Sequence, residues 1–266
     1  MLHYAFMRAA FMAALLISIV CGPVGWFLVL RRQSFASHAL AHVGFAGATA
    51  ALVVDQPALL GFGVGSVLSG VAMGAISYRV IGHDVIIGLV LSLAMGIGVL
   101  CLHFLTRSAH AAMSLLFGNI LGVDTNTLWA LFFLSAGCLV VLACIARPLL
   151  LATLQPEVAE AKGISLRLIN CIFLVLVAVA TVECTQATGI LLVFTLMVAP
   201  AAAIIRQGFS PIVGMVATTA LAVGESWGGL VLSWYTSWPV VFWIAALGAV
   251  GFGISHGIVL LSLKRK

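Results

Sequence analysis

The sequence contains very little charge. Of its 266 residues, 7% are charged and 64% are hydrophobic, and the mean hydropathy is +1.27. A soluble domain has about 25% charged and about 45–50% apolar residues. A soluble enzyme or nucleic-acid-binding domain is therefore excluded, and the chain needs a lipid bilayer around it.

Several catalytic and metal-binding motifs are missing as well. The sequence has no Gly-x-x-x-x-Gly-Lys-Ser/Thr phosphate loop for ATP. The metalloprotease motif His-Glu-x-x-His fails because Ala39, between His38 and His42, occupies the glutamate position. The six cysteines show no Cys-x-x-Cys spacing, which favours buried apolar roles for them. We therefore do not expect the chain to be an enzyme.

What remains is a series of apolar runs, each of which can be compared with the roughly 20 residues that a membrane span requires. Seven runs can be placed directly: 9–30, 36–54, 58–81, 85–105, 127–146, 211–223 and 238–263. The stretch 168–205 can form two more helices, separated by a polar break at 183–189. Residues 108–123 are too short for a span and predict a re-entrant or partly buried helix. The pattern predicts one all-α domain over residues 1–266, a polytopic helical membrane protein with about nine transmembrane helices (eight to ten).

Positive charge is distributed unevenly among the predicted loops. With nine crossings and the amino terminus outside, one side holds Arg31, Arg32, Arg79, Arg147, Lys162, Arg167, Arg206 and residues 264–266. The opposite side holds only Arg8 and Arg107. Because Lys and Arg in short loops mark the cytoplasmic side, we expect the amino terminus outside and the carboxyl terminus inside.

The longest polar stretch, residues 147–170, lies on the predicted cytoplasmic side. Pro156 suits the first turn of a helix, Glu157 and Glu160 lie near its positive end, and Gly163 suits its end. The pattern predicts a short helix of about two turns. By periodicity alone, a plain loop helix and a docking helix are equally supported.

His38 and His42 lie early in the second apolar run. Residues four apart share one face of a helix, so the two imidazoles can bind one metal ion. Neutral imidazole suits Zn, Cu, Fe and Ni. An equally supported alternative is that both rings simply form hydrogen bonds with the backbone.

Three further residues are candidates to line or gate a pathway. Glu183 and Gln186 fall in the predicted polar break, where solvation at the outer surface is the favoured interpretation. If the break enters the bilayer, Glu183 becomes a gate or ligand. Pro200 frees a backbone carbonyl that can line a pathway, although a packing kink accounts for it equally well.

Four segments together resemble the zinc/manganese-type metal ABC transporter permeases. They are an arginine-led second-span motif at 31–47, a Phe-Gly segment at 117–123, a coupling-helix motif at 155–163 and a Gly-to-Pro-Ala-Ala span at 189–202. They occur in the family's order and cover nearly the whole chain. The resemblance implies a type II ABC importer-like permease, a transport subunit whose ATP is hydrolysed by a partner.

The resemblance also implies the partners. Two copies of the permease would form a homodimer in the bacterial inner membrane, driven by a cytoplasmic ATP-binding cassette ATPase dimer and fed by an extracytoplasmic metal-binding protein. A coupling helix would contact the ATPase through Pro156, Glu157, Ala159, Glu160, Ala161 and Gly163. Neither nucleic acid nor a permanently bound cofactor is implied.

In many family members, the second-span motif carries Asp followed four residues later by His. His42 matches that histidine, and His38 stands at the Asp position. Replacing an oxygen ligand with imidazole favours borderline metals, so we expect transient binding of zinc, with manganese or iron next. The alternatives are a permease of the same architecture for a metal chelate or small solute, a secondary metal transporter and a structural subunit without a pathway.

Overall fold

The computed structural model describes residues 1, 3–76, 83–104, 118 and 120–263. In these residues the secondary structure is entirely helical, with one 3-10 turn at Ile120–Gly122. The α-helices are α1 (Ala5–Leu30), α2 (Ser34–Val53), α3 (Ala58–Ile76), α4 (His83–Phe104), α5 (Thr125–Leu154), α6 (Pro156–Ala161), α7 (Leu166–Thr188), α8 (Ile190–Ile205), α9 (Pro211–Thr236) and α10 (Val240–Leu263). The predicted all-α polytopic class is confirmed.

Nine of these helices coincide with the nine predicted apolar runs. Among the described residues, 7 helices are long and apolar enough to cross a membrane, namely α1, α2, α3, α5, α7, α9 and α10. The apolar part of α4 (Gly88–Phe104) and α8 are shorter. Arg79, Arg107, residues 264–266 and most of the re-entrant segment predicted at 108–123 lie outside the described residues.

Helix α1 lies at the centre of the protein. It packs against α5, α7, α8 and α9, and its buried side chains, including Phe27 and Leu28, belong to the main apolar core. A helix that is apolar on all sides is stable when other helices surround it. Helices α2, α3 and α4 pack together beside this body, and α3 also packs along α7.

Two predicted spans are longer in the structure. Helix α5 continues past residue 146, through Arg147 and Pro148, to Leu154. Helix α9 continues from residue 223 to Thr236 and includes the buried Glu225. Hydropathy ended both runs too early because a polar or charged residue interrupts the apolar pattern without interrupting the helix.

The stretch 168–205 does form two helices, but the predicted polar break at 183–189 is wrong. Helix α7 continues to Thr188, and the single residue Gly189, with φ 77°, leads into α8. The hydroxyl groups of Thr181, Thr185 and Thr188 donate hydrogen bonds of 2.8 Å to carbonyl oxygens one turn earlier in α7. Polar side chains satisfied in this way remain inside a buried helix.

Candidate metal-binding pair and coupling helix

The histidine pair lies at the start of α2. The ring centroids of His38 and His42 are 4.4 Å apart, with an angle of 75° between the planes. Both side chains are half-buried. The structure therefore brings the two imidazoles together on one helix face, as the spacing predicts.

One side of this pair is an aromatic surface. The ring of His38 lies 5.6 Å from that of Phe35 and 5.8 Å from that of Phe194 on α8, measured between centroids. Phe35 is 44% exposed and Phe194 is 36% exposed. The pair therefore lies beside a partly open face between α2 and α8.

The Nδ1 atom of His42 is buried and has no hydrogen-bond partner among the residues that the structure describes. A neutral imidazole can use such a nitrogen to donate a proton or to bind a metal, depending on its tautomer. Among the described residues, this nitrogen does not make the backbone hydrogen bond that the alternative interpretation requires. Among the described residues, no group of three or more His, Cys, Asp and Glu side chains has metal-binding geometry. Two protein ligands are thus available to a metal at this pair.

The predicted short helix on the cytoplasmic side is present as α6. Pro156 is its first residue, and Gly163 ends the segment with φ 79°, where the backbone nitrogen of Ile164 donates to the carbonyl oxygen of Ala159 at 3.0 Å. Ala159 is fully buried. The remaining residues of α6 are exposed: Pro156, Glu157, Val158, Glu160 and Ala161. The segment therefore offers an outward-facing surface held in place by one alanine.

Glu183 is not at a solvated surface. Its side chain is 1% exposed, and it accepts a hydrogen bond from the hydroxyl group of Ser135 on α5. The prediction of a solvated Glu183 is therefore wrong, because the carboxyl group lies between α5 and α7. The histidine pair instead contacts α8. Gln186 is half-buried in α7, and Pro200 is buried within α8.

Sequence reasoning missed a second buried acid, Glu225 on α9. It is 4% exposed, and within the described part of the chain neither carboxyl oxygen has a hydrogen-bond partner. Its oxygens lie 3.4 Å from the positions that a Cβ would take on Gly248 and on Gly251, so the carboxyl group lies against a glycine face of α10. An acid within a long apolar helix is costly and is a candidate functional group. The acid is visible in the sequence, but the predicted run ended at residue 223 and left it outside the span.

Comparison with known proteins identifies similar membrane proteins. The chain matches the model of the ABC 3 transport family over residues 3–256. It is 34% identical over 236 residues to the probable metal transport system membrane protein of Treponema pallidum, covering 88% of each chain. It is 29% identical over 203 residues to the manganese transport system membrane protein MntC of Halalkalibacterium halodurans, covering 76% of this chain and 70% of that protein. It is 27% identical over 265 residues to the manganese import system permease protein ScaB of Streptococcus parasanguinis, covering 99% and 94%.

Two solved structures have a similar fold. PsaBC from Streptococcus pneumoniae in complex with Fab aligns with a TM-score of 0.84 at 23% identity, covering 95% of this chain and 91% of that chain. An ABC transporter in an inward-facing conformation aligns with a TM-score of 0.69 at 16% identity, covering 93% of this chain and 84% of that chain. At these identities the alignments establish the arrangement of the helices.

Proposed function

Because the chain belongs to the ABC 3 transport family, we propose that it is the permease subunit of an ATP-driven importer for divalent transition-metal ions. The observation that carries the proposal is the His38–His42 pair, whose rings lie 4.4 Å apart beside a partly open face. The unpartnered nitrogen of His42 supports a role in binding. Ions would bind there transiently, since a pathway must also release them.

The proposed partners follow from the motifs and surfaces that this chain has and from the ATP-binding motif that it lacks. It has no phosphate loop, so a cytoplasmic ATPase dimer would hydrolyse ATP and contact the exposed surface of α6. An extracytoplasmic metal-binding protein would deliver the ion. The amino terminus would lie outside and the carboxyl terminus inside, in the bacterial inner membrane, as the positive charges indicate.

A homodimer would complete the pathway. One copy supplies two imidazoles, and Phe35 and Phe194 beside them are partly exposed. A second copy facing this surface would bring two more imidazoles towards the same ion. Four nitrogen ligands are the donor set of a tetrahedral site, whereas two leave water on the ion.

The ligands of the proposed site and the names of the relatives favour different metals as the transported ion. Two imidazoles favour a borderline ion such as zinc over manganese, and zinc is the ion that we propose. Two of the relatives described above are named for manganese, which makes manganese the second candidate. Iron is the third, because imidazole also suits it.

The test is ATP-dependent uptake by the complete importer in proteoliposomes. The chain is purified with its partner ATPase and metal-binding protein, and radioactive zinc uptake is measured with ATP inside the vesicles. The proposal predicts uptake that requires both ATP and the ATPase. Accumulation by the permease alone, driven by an ion gradient, would contradict it and identify a secondary transporter. Uptake of the metal only as a preformed chelate would support the chelate alternative.

A further inference from the structure

The guanidinium group of Arg31 joins the two helices that flank α6. Its Nη1 donates to the hydroxyl oxygen of Thr153, near the end of α5, at 2.9 Å. Its Nη2 donates to the side-chain oxygen of Asn170, near the start of α7, also at 2.9 Å. One planar group therefore holds both the helix that leads into α6 and the helix that leads out of it.

Neighbouring residues extend this contact into a network. The Nε of Arg31 donates to the side-chain oxygen of Gln33 at 3.3 Å, and the amide of Gln33 donates to the side-chain oxygen of Asn170 at 3.0 Å. The amide of Asn170 in turn donates to the carbonyl oxygen of Gly74 on α3 at 3.1 Å. The guanidinium carbon of Arg31 lies 5.5 Å from the centre of the Phe173 ring. Arg31 at the end of α1 thus contacts the end of α5 and the start of α7 directly, and the network reaches α3 through Asn170.

Arg31 is also the point at which α1 gives way to α2. The backbone nitrogen of Gln33 donates to the carbonyl oxygen of Leu28 at 2.9 Å, and Arg32 has φ 56°, which closes a tight turn. Helix α2 begins at Ser34, and His38 lies four residues further on, about 6 Å along the helix. Because α2 packs mainly on α3 and α4 and makes few contacts with α1, this turn is its main attachment to the central helix.

The hydrogen bonds of this network can break and re-form during a movement of the helices. Thr153, Gln33 and Asn170 all present neutral oxygens to Arg31. Bidentate pairs between arginine and a carboxylate are stronger than hydrogen bonds to neutral acceptors. Because a guanidinium group keeps its charge in proteins, Arg31 requires hydrogen-bond acceptors in every conformation. Arg31 can nevertheless exchange its neutral acceptors for others without leaving a carboxylate unpaired.

We propose that Arg31 is a positioning residue that transmits movement of α6 to the histidine pair. This inference rests on the proposed function. When the ATPase displaces α6, the ends of α5 and α7 move with it. The guanidinium group carries that displacement into the turn at residues 31–33 and tilts the start of α2. The tilt changes the position of His38 and His42 relative to Phe194 on α8.

The experiment compares metal uptake with ATP hydrolysis in the same proteoliposomes, using the complete importer. Arg31→Lys keeps the charge but loses the fork that reaches both partners, and Thr153→Val keeps the shape but loses the acceptor. The matched controls are Thr153→Ser, which restores the hydroxyl group, and Arg32→Gln, which removes the exposed neighbouring cation. Melting temperatures are measured for every variant.

We expect Arg31→Lys and Thr153→Val each to lower the number of ions moved per ATP about tenfold, within the range of typical coupling effects. ATP hydrolysis should stay near that of the wild type and both controls should keep the wild-type ratio, while the melting temperature should fall only slightly, because each change removes hydrogen bonds between Arg31 and neutral partners. The Arg31→Lys/Thr153→Val double variant should lower the number of ions moved per ATP no further than the stronger single variant does. Both substitutions break the same contact, between Arg31 and Thr153.

An unchanged ratio, or a fall in uptake and hydrolysis in equal proportion, would overturn the role of Arg31. If Arg31→Lys does not fold, Thr153→Val still tests the same contact with the arginine in place. These outcomes are separate from failure of the proposed function, which would appear as a wild-type importer without ATP-dependent metal uptake.

Discussion

The hydroxyl group of Ser135 on α5 donates a hydrogen bond to the carboxyl group of Glu183 on α7. Ser135 is 4% exposed and Glu183 is 1% exposed. The other carboxyl oxygen of Glu183, Oε2, has no hydrogen-bond partner among the described residues. Because α5 and α7 also flank α6, this buried bond joins the two helices between which α6 lies.

Ser135→Ala should destabilise the protein. The change leaves the buried carboxyl group without its described hydrogen-bond partner, which costs about 1–3 kcal/mol. Thermal unfolding in detergent should show a lower melting temperature. The control is Ser69→Ala, because the hydroxyl group of buried Ser69 donates to the carbonyl oxygen of Ser66 within α3, at 2.9 Å. Equal shifts for the two variants would contradict the role given to the Ser135–Glu183 bond.

Replacing the two buried acids with methionine should have opposite effects. Neither oxygen of Glu225 has a hydrogen-bond partner in the described ranges, so Glu225→Met removes polar atoms without breaking a described bond. Replacing a poorly satisfied buried polar group with an apolar one is often neutral or stabilising. Glu183→Met removes the acceptor of Ser135 and should lower the melting temperature.

Destabilisation by Glu225→Met would show that the carboxyl group has a stabilising partner in the folded protein. Loss of uptake with an unchanged melting temperature would instead mark Glu225 as a residue of the pathway.

Gly118→Ala should be among the most damaging single changes. Gly118 has φ 66°, and a Cβ there would lie 2.3 Å from the backbone nitrogen of Gly189, at the junction of α7 and α8. The left-handed conformation alone costs about 1–2 kcal/mol, and the backbone clash adds to it. Gly208→Ala is the control, because Gly208 has φ 73° but nothing within 4 Å of its Cβ position. Similar expression and melting temperature for both variants would contradict the packing of Gly118 on Gly189.

The sequence predicted the helices well because an apolar run of about 20 residues is long enough to cross a bilayer as a helix and is rare in soluble domains. It also predicted that His38 and His42 lie together, since a four-residue spacing fixes their shared face. The start and end of α6 were likewise indicated by Pro156 and Gly163, whose backbone preferences are local.

The errors concern polar residues whose partners are distant in sequence. Glu183 suggested a solvated break because its partner, Ser135, lies 48 residues away on another helix. Glu225 was missed because the predicted apolar run ends at residue 223, which left the acid outside the span. The glycine face that accommodates the acid belongs to a different helix, α10. The Arg31 network joins residues up to 139 positions apart. Periodicity carries no information about contacts of this kind.

Glu157→Lys should uncouple ATP hydrolysis from metal uptake. Glu157 is exposed on α6, so reversing its charge should leave the fold intact while disturbing a surface proposed to contact the ATPase. Uptake per ATP should fall in proteoliposomes, and the melting temperature should not change. Glu157→Asp, which keeps the charge, is the control. Wild-type uptake per ATP in the lysine variant would show that α6 does not depend on this side chain for coupling.

Metal binding by the histidine pair is tested by zinc and manganese uptake in the His38→Ala/His42→Ala double variant of the complete importer. With wild-type protein, we expect ATP-dependent uptake in which zinc competes more effectively than manganese. In the double variant, uptake of both ions should be lost while the protein remains folded. Uptake at the wild-type rate in the double variant would contradict the proposal that this pair binds the ion in transit.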